Sequence, residues 1–288
     1  MPNPTEIRRH IAAVEQTKKI TGAMEMISSN RMKRVMSHIE QNHHYFDSVR
    51  RTMKHLLMTS QGFEHPYLKE RPGLKHTYLV IAGDKGLCGA YNSSVLNFAR
   101  DTLLQYPERS LITIGIVAEE YFHSRGMTPD SALLGIAQDP TLTRARRLVR
   151  EIMQLYDDGL IGEFSVIYTS FYGQTKNKPI ERRLLPIRPE DYSDIEVDES
   201  MPEIIYHPSP EKVFDMLVPQ YILGIIFGVM VQAYASEHYA RMNAMHSATM
   251  NANDMLKNLR DQYNMVRQSA ITNEIAEITG AAEILRGG

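Results

Sequence analysis

The chain has 288 residues, of which 43% are hydrophobic and 23% are charged, and its formal net charge is −2. That length permits one large domain or two modest ones, and the near-neutral charge argues neither for nor against a nucleic-acid partner. The single cysteine excludes an intramolecular disulfide and a cysteine zinc cluster.

Residues 4–60 are predicted to form one long helix. Pro4 stands near the start, where proline is tolerated, and the next proline is Pro66. The helix has a narrow apolar stripe, which Lys18 and Thr21 interrupt. A helix with so thin an apolar face needs a partner helix to be stable.

A small α/β unit is predicted between His76 and about Pro189, after a Gly- and Pro-containing connector at 62–75. Strands that alternate with helices indicate a parallel sheet. The predicted strands are 77–83, 110–118 and 164–171, the predicted helices are 92–106 and 142–159, and an acidic linker follows at 190–203.

The chain is predicted to be helical again from Ser209, as the cap residue, to about Arg286. Pro219 is expected to bend or restart this helix. The most apolar run, 221–231, is shorter than the ~20 residues of a membrane span and is predicted to be a buried helix segment. A heptad-like seam follows with spacings of 4, 3, 4 and 3, formed by Ile271, Ile275, Ile278, Ala282 and Leu285.

Together these patterns predict an α/β fold combined with a long antiparallel coiled coil. Two long terminal helices, within 1–60 and 208–288, pair with each other and flank an inserted parallel-sheet α/β domain at 76–195. Long paired helices bridge partners or transmit force and seldom form active sites.

The turn GDKGLCG at 83–89 raises the question of a phosphate-binding loop. An ATPase-type loop requires Gly-Lys followed by Ser or Thr, but Lys85 is followed by Gly86 and Leu87. The dinucleotide fingerprint also fails, because its first two glycines are separated by one residue. The turn is therefore predicted to be a tight strand-to-helix connection with Cys88 packed as a small hydrophobe. No metal site or cofactor is predicted.

Several segments carry a resemblance to one protein family. They are EIRRHIAAVEQTKKITGAMEMISSNRMKRV (6–35), GDKGLCGAYN (83–92), ERRLLPI (181–187), IIYHPSPEKVFDMLVPQY (204–221) and SEHYARMNAMHSATMNANDMLKNLRDQYNMVRQSAITNEIAEITGAAEIL (236–285). In this order they resemble the gamma subunit of F-type ATP synthases. The resemblance covers essentially the whole chain and is weakest between about 95 and 180.

The resemblance implies a central rotor shaft in a rotary ATP synthase. Such a shaft turns inside a hexamer of alpha and beta subunits, and its foot joins the epsilon subunit and the c ring. The beta subunits hold the chemistry, so this chain would be a non-catalytic subunit without cofactor, metal or nucleic acid. It would touch the membrane only through the c ring, at the cytoplasmic face of a bacterial inner membrane. The paired cysteines of the chloroplast redox switch are absent.

Particular positions match the family's contact segments. Residues that match the segment facing the catch loops of the catalytic subunits are Arg267, Gln268, Thr272 and Glu274, and Met24 matches a position facing an acidic beta-subunit loop. Tyr206 and His207 match the part of the foot that meets the c ring. Ile275, Ile278 and Leu285 suit an apolar shaft tip. A basic band on residues 7–36 comprises Arg8, Arg9, Lys18, Lys19, Arg31, Lys33 and Arg34 against Glu15 and Glu25.

Some positions depart from the family pattern, and two other functions stay open. Gly22 replaces a common lysine, His207 and Met250 replace common acids, and Gly224 and Gly228 lie within the second long helix. One alternative function is a coiled-coil scaffold unrelated to ATP synthesis. The other is a nucleotide-binding α/β enzyme that uses the 83–89 turn.

Overall fold

The computed structural model describes residues 3–59, 63–171, 173, 177–195 and 206–286. The chain divides into two compact units. One, here called the coiled-coil unit, contains the chain from its start to Ser28 and from Arg241 onward. The other, the sheet unit, contains residues 29–240. The domain boundaries predicted from the sequence stay a prediction.

Two long helices run through both units, as the sequence predicts. Helix α1 spans Pro4–Thr59, and helix α5 spans Pro210–Arg286. The Asn3 side chain begins α1 by accepting a hydrogen bond of 3.0 Å from the Thr5 N–H. Ser209 precedes α5, and its hydroxyl accepts from the Lys212 N–H at 3.4 Å, which confirms the predicted cap.

The expected restart of α5 at Pro219 is wrong, because the helix is assigned continuously through that residue. Proline has no N–H, so the Asp215 carbonyl loses its helical donor, and an interior proline costs about 3 kcal/mol. Phe214, Val218 and Ile222 are 0% exposed on either side of it. Their burial holds the helix against the core on both sides of the proline.

A five-stranded sheet with the order β3-β2-β1-β4-β5 organises the sheet unit. Strands β1, β2 and β4 are parallel, as predicted. Neither β3, which is parallel to β2, nor β5, which runs antiparallel to β4, was predicted. The strands are β1 His76–Ile81, β2 Arg109–Ile114, β3 Ser131–Leu133, β4 Glu163–Ser170 and β5 Lys178–Leu185, and the helices between them are α2 Tyr91–Leu103, α3 Ile116–His123 and α4 Leu142–Asp157.

The predicted strand 110–118 is too long, because Gly115 divides it. Gly115 has a φ of 102°, and an added Cβ would lie 2.3 Å from the Ala82 carbonyl oxygen. Only glycine fits this close approach, at which β2 ends and α3 begins. The second half of the apolar run, Ile116 onward, is therefore helical.

The two faces of the sheet bury separate cores. Along β1, Tyr78 and Val80 face one core, with α2 and α3, while Leu79 and Ile81 face the other, since strand side chains alternate. The second core also contains α4, part of α5 and four buried residues of α1, namely Val35, Val49, Met53 and Leu56. The insert is therefore packed onto the long helices within the sheet unit.

The apolar run at 221–231 lies in this second core, as predicted. Ile222, Ile226 and Val231 are 0% exposed. Among the described residues, the helical stretch Pro210–Thr279 is long and apolar enough to cross a membrane, judged by length and composition alone. Of its most apolar window, 56% is buried inside the protein. A core helix passes the same test, so the observation is weak evidence for a span.

A buried histidine makes the stability of the sheet unit depend on pH. His76 is hydrogen-bonded through Nδ1 to the Tyr78 hydroxyl and through Nε2 to Ser165 Oγ, both at 3.0 Å. Burial lowers the pKa of His76 to about 4, and the charge of Glu181 opposes this effect. The unfolded chain binds this proton at a pKa of about 6.5.

We therefore expect stability to be lost as the pH falls from about 6.5 to about 4, because only the unfolded state is protonated there. The contribution is up to about 1.4 kcal/mol per pH unit. Urea unfolding across this range checks it. His76→Gln should flatten the slope, whereas His123→Gln, which removes an exposed histidine, should leave it. Equal slopes for the wild type and His76→Gln would contradict the assignment.

Candidate interaction surfaces

The glycine turn after β1 is closed by its own hydrogen bonds. The Gly83 N–H donates to Asn92 Oδ1 at 2.9 Å, and Asn92 Nδ2 donates to the Lys85 carbonyl at 3.2 Å. Asp84 Oδ1 accepts from the Ile116 N–H at 2.9 Å. The Gly83 N–H and the Ile116 N–H are therefore already hydrogen-bonded within the protein, whereas a phosphate-binding loop needs free N–H donors.

Acidic groups also surround this turn. An added Cβ on Gly83 would lie 3.0 Å from the Glu237 carboxyl carbon, so a carboxylate packs directly against the glycine. With Asp84 beside it, an incoming phosphate would meet negative charge. Cys88 is 2% exposed, and its sulfur accepts from Asn92 Nδ2 at 3.4 Å, so it is buried but has a polar contact that the sequence did not predict. This geometry disfavours the nucleotide-binding alternative, and the described residues contain no group of three potential metal ligands.

The coiled-coil unit is an antiparallel pair of helical segments. Contacts run from Glu15 with Arg260, at 2.7 Å, to Glu25 with His246, at 3.0 Å. The residue numbers rise along α1 while they fall along α5, so the helices point in opposite directions. The predicted antiparallel pairing is confirmed here.

The packed seam changes character along its length. Near the start of α1, Ile7, Ile11 and Val14 form an apolar cluster with partners on α5. The α5 residues of this cluster are Ala252, Leu256, Leu259, Tyr263 and Val266, with the alternating 4, 3 spacing of a heptad seam. The apolar cluster of the interface therefore lies at this end of the unit.

Further along α1 the seam is polar. Thr21, which interrupts the apolar stripe of the sequence, is 8% exposed, and its hydroxyl lies 2.7 Å from the hydroxyl of Thr249. The Glu25–His246 contact follows one helical turn later. Each threonine hydroxyl also donates to a carbonyl of its own helix. These polar contacts bury little apolar area, so they contribute less to stability than the apolar cluster.

Of the seam predicted at 271–285, the described side chains do not pack within this unit. Ile271, Ile275 and Ile278 are 45%, 56% and 69% exposed, and the side chain of Leu285 lies outside the described residues. The observed stripe ends at Val266 and, if continued, would pass through 270 and 273. The predicted seam is displaced from it by one residue at Ile271 and by two at Ile275, and each residue is about 100° around a helix. The prediction that this apolar stripe packs in the coiled-coil contact is therefore wrong for Ile271, Ile275 and Ile278.

A basic groove crosses both helices of the coiled-coil unit. It is lined by Lys18 and Lys19 on α1 and by Lys257 and Arg260 on α5. Glu15 and Asp261 also line it, and Glu15 is paired with Arg260. Within the described chain the three lysine ammonium groups have no carboxylate partner. The sequence showed only the α1 side of this groove, because Lys257 and Arg260 are far from it in the chain.

The predicted contact residues are accessible. Arg267, Gln268, Thr272 and Glu274 are exposed on α5 beyond the packed seam, and Met24 on α1 is half-buried. In the sheet unit, the Tyr206 hydroxyl lies 2.8 Å from His55 Nδ1, and the neighbouring His207 is exposed. Accessibility permits partner contact at these positions but does not test it, so their roles stay predictions.

Comparison with known proteins gives the same family along the whole chain. The family model described as ATP synthase matches residues 3–285. A protein of Alkaliphilus metalliredigens named ATP synthase gamma chain is 36% identical over 286 residues, covering 98% of each chain. One of the same name from Symbiobacterium thermophilum is 36% identical over 288 residues, covering 99% of each.

Solved structures share the fold. The rotor of the Euglena gracilis mitochondrial ATP synthase contains a chain with a TM-score of 0.65 and 13% identity, covering 93% of this chain and 98% of that one. A second Euglena structure, of the OSCP/F1/c-ring assembly, gives a TM-score of 0.68 at 14% identity, with coverages of 99% and 95%. The predicted fold class, a parallel-sheet α/β domain with a long coiled coil, is confirmed.

The two seams of α5 should respond differently to truncation. Leu256→Ala removes a buried side chain, 5% exposed, and should destabilise the coiled-coil unit by about 2–4 kcal/mol. Ile271→Ala, the matched control on the exposed stripe, should cost less than about 0.5 kcal/mol. Hydrogen exchange of the backbone amides at 7–28 and 245–266 measures both. Comparable protection losses in the two variants would place Ile271 in the packed seam.

Proposed function

The chain belongs to the ATP synthase gamma-chain family, and we propose that it works as the central rotor shaft of a rotary ATP synthase. Rotation of the membrane c ring, driven by ion flow, turns the shaft, and the shaft drives the conformational cycle of the catalytic beta subunits. The chain itself carries no chemistry. The observation that supports this role most directly is the exposed end of α5 on a chain that matches gamma chains along its whole length.

The exposed end of α5 fits contact with a surrounding ring of subunits. Helix α5 continues to Arg286, beyond the end of its packed contact with α1, and Ile275 and Ile278 are exposed there. These residues gain no stability from burial within this chain. Exposed apolar residues repeated along one stripe indicate a surface that another protein covers. We assign this stripe, with Leu285, to the apolar bearing of the alpha and beta subunits.

Polar side chains beside that stripe provide the proposed hydrogen bonds between the shaft and the catalytic subunits. Arg267, Gln268, Thr272 and Glu274 are exposed hydrogen-bonding groups. Thr272 Oγ1 donates to the Gln268 carbonyl at 2.9 Å, so its oxygen stays available as an acceptor. These four residues are the proposed contacts of the catalytic subunits' catch loops.

The basic groove fits the acidic loop of a passing beta subunit. Lys18, Lys19 and Lys257 are exposed and lack carboxylate partners in the described chain, so their charges are available for a partner. An acidic loop would be attracted without a deep or rigid contact, which suits a surface that has to release again. Met24 lies on the same helix as Lys18 and Lys19, about one and a half turns further along.

The sheet unit provides the proposed foot. Tyr206 and His207 are the residues we assign to the c ring, and the epsilon subunit is the other proposed neighbour. With these partners the chain lies at the cytoplasmic face of a bacterial inner membrane and touches that membrane only through the c ring. A coiled-coil scaffold unrelated to ATP synthesis has no observation in its favour once the family is known.

Removal of the exposed end of α5 tests the proposed contacts with the catalytic subunits. A chain ending at Val266 keeps the whole packed seam and loses the four proposed contacts and the apolar tip. Reconstituted with alpha and beta subunits, it should still assemble, while the ATP hydrolysis rate falls about tenfold, or about 1.4 kcal/mol in the activation barrier. Full-rate hydrolysis by the truncated complex would remove these contacts from the mechanism. Failure of the full-length chain to assemble would remove the shaft function.

Charge removal tests the basic groove. Lys18→Gln, Lys19→Gln and Lys257→Gln combined should lower the hydrolysis rate of the complex severalfold at low salt, with a difference that shrinks above about 0.1 M, where the screening length is about 10 Å. Arg146→Gln, Arg147→Gln and Arg150→Gln on α4 remove the same charge elsewhere and serve as the control. Equal effects of the two triple variants would indicate a general charge effect.

A further inference from the structure

A groove in the sheet unit has no part in the proposed shaft function. It encloses about 240 Å³ between α1 and α5, with β5 contributing one side. Its walls include aromatic residues from both helices, Phe46 and Tyr221, and two arginines, Arg50 and Arg182. Aromatic walls with a few convergent polar groups are the usual composition of a small-molecule site.

Two glycines of α5 shape this groove in different ways. At Gly224 an added Cβ would lie 2.4 Å from Cδ1 of Phe46, so this glycine lets the α1 ring approach the α5 backbone. At Gly228, one turn later, an added Cβ would meet nothing within 4 Å. The first glycine therefore brings the helices together, and the second leaves an open compartment beside the contact. Interior glycines each weaken the helix by about 1 kcal/mol relative to alanine.

The arginines give the groove a positive character. Arg50 binds both carboxylate oxygens of Asp194, at 2.7 and 3.0 Å, while its buried Nε has no hydrogen-bond partner in the described chain. This contact, with a smaller contribution from Arg182, holds the pKa of Asp194 below its usual range. The acidic residue that lines the groove, Asp47, is paired with Arg51 at 2.8 Å.

Arg182 supplies a positive charge that is not used in an ion pair with another described residue. It is half-buried on β5, and no hydrogen bond or ion pair joins its guanidinium to another described residue. Guanidinium groups bind carboxylates through paired hydrogen bonds, and such bonds are stronger than those between neutral groups. Burial beside aromatic walls strengthens the attraction further, because water screens it less.

We propose that this groove binds a small aromatic carboxylate. The ring lies between the aromatic walls in the space left open at Gly228, and the carboxylate is held by Arg182 with help from Arg50. The volume is below the roughly 300–1,000 Å³ of sites for drug-sized molecules, so the ligand has a single ring. Since the ligand would contact both α1 and α5, its binding would stabilise the packing of these two helices in the sheet unit.

Benzoate is the probe for the test, with benzamide as its uncharged analogue and acetate as the analogue without a ring. The protein is the complex of the full chain with alpha and beta subunits, and saturation-transfer NMR reports binding. We expect benzoate to bind with a Kd of about 1 mM, typical for so few atoms, and both analogues to bind at least about tenfold more weakly. Absence of benzoate binding, or equal binding of benzamide, overturns the proposal.

Two variants locate the bound benzoate. Gly228→Val fills the open compartment, and Arg182→Gln removes the uncommitted charge; each should weaken binding at least about tenfold. Arg147→Gln on α4, exposed and outside the groove, should leave the Kd unchanged. Circular dichroism shows whether Gly228→Val disturbs the helices. If it does, the effect of Arg182→Gln alone tests whether benzoate binds in this groove. Benzoate binding that survives both substitutions unchanged places the site elsewhere and overturns the assignment.

Discussion

The burial of the middle of α5 is the interaction on which the sheet unit depends. Phe214, Val218, Ile222 and Ile226 are 0% exposed and share one core with α1, α4 and one face of the sheet. Because residues 221–231 of this helix are apolar on nearly every side, they are stable only when surrounded by protein. Its burial keeps the helix continuous at Pro219, where the local backbone preference favours a break.

The coiled-coil unit is held by a seam that is only partly apolar. Its packed seam is apolar from Ile7 to Val14 and polar at Thr21 and Glu25. A fully apolar seam would be more stable, and the polar pairs add only modest strength to the contact between α1 and α5. The outer faces stay charged or apolar and are unpartnered in the described chain. A rotor that slides past its neighbours requires such surfaces.

The glycines of this chain serve distinct physical purposes. Gly115 allows a backbone approach that no side chain permits, Gly224 admits an aromatic ring, and Gly228 leaves a space. By contrast, the turn at Gly83 is occupied by an amide and a carboxylate of the protein itself. Glycine-rich sequence therefore marks close approach here, and the groove between the long helices is a better candidate for a small ligand than the turn.

The sequence by itself determined the elements whose signals are local. The two long helices, the parallel strands, the buried run at 221–231 and the family all follow from periodicity, residue type and a long specific motif. The tertiary structure alone decided which positions meet. It showed that α1 pairs with the stripe ending at Val266 and leaves Ile271 exposed, that Lys257 joins Lys18 in one groove, and that β5 runs antiparallel. These features depend on contacts between residues far apart in the chain, and a stripe of apolar residues looks the same whether its partner is this chain or another.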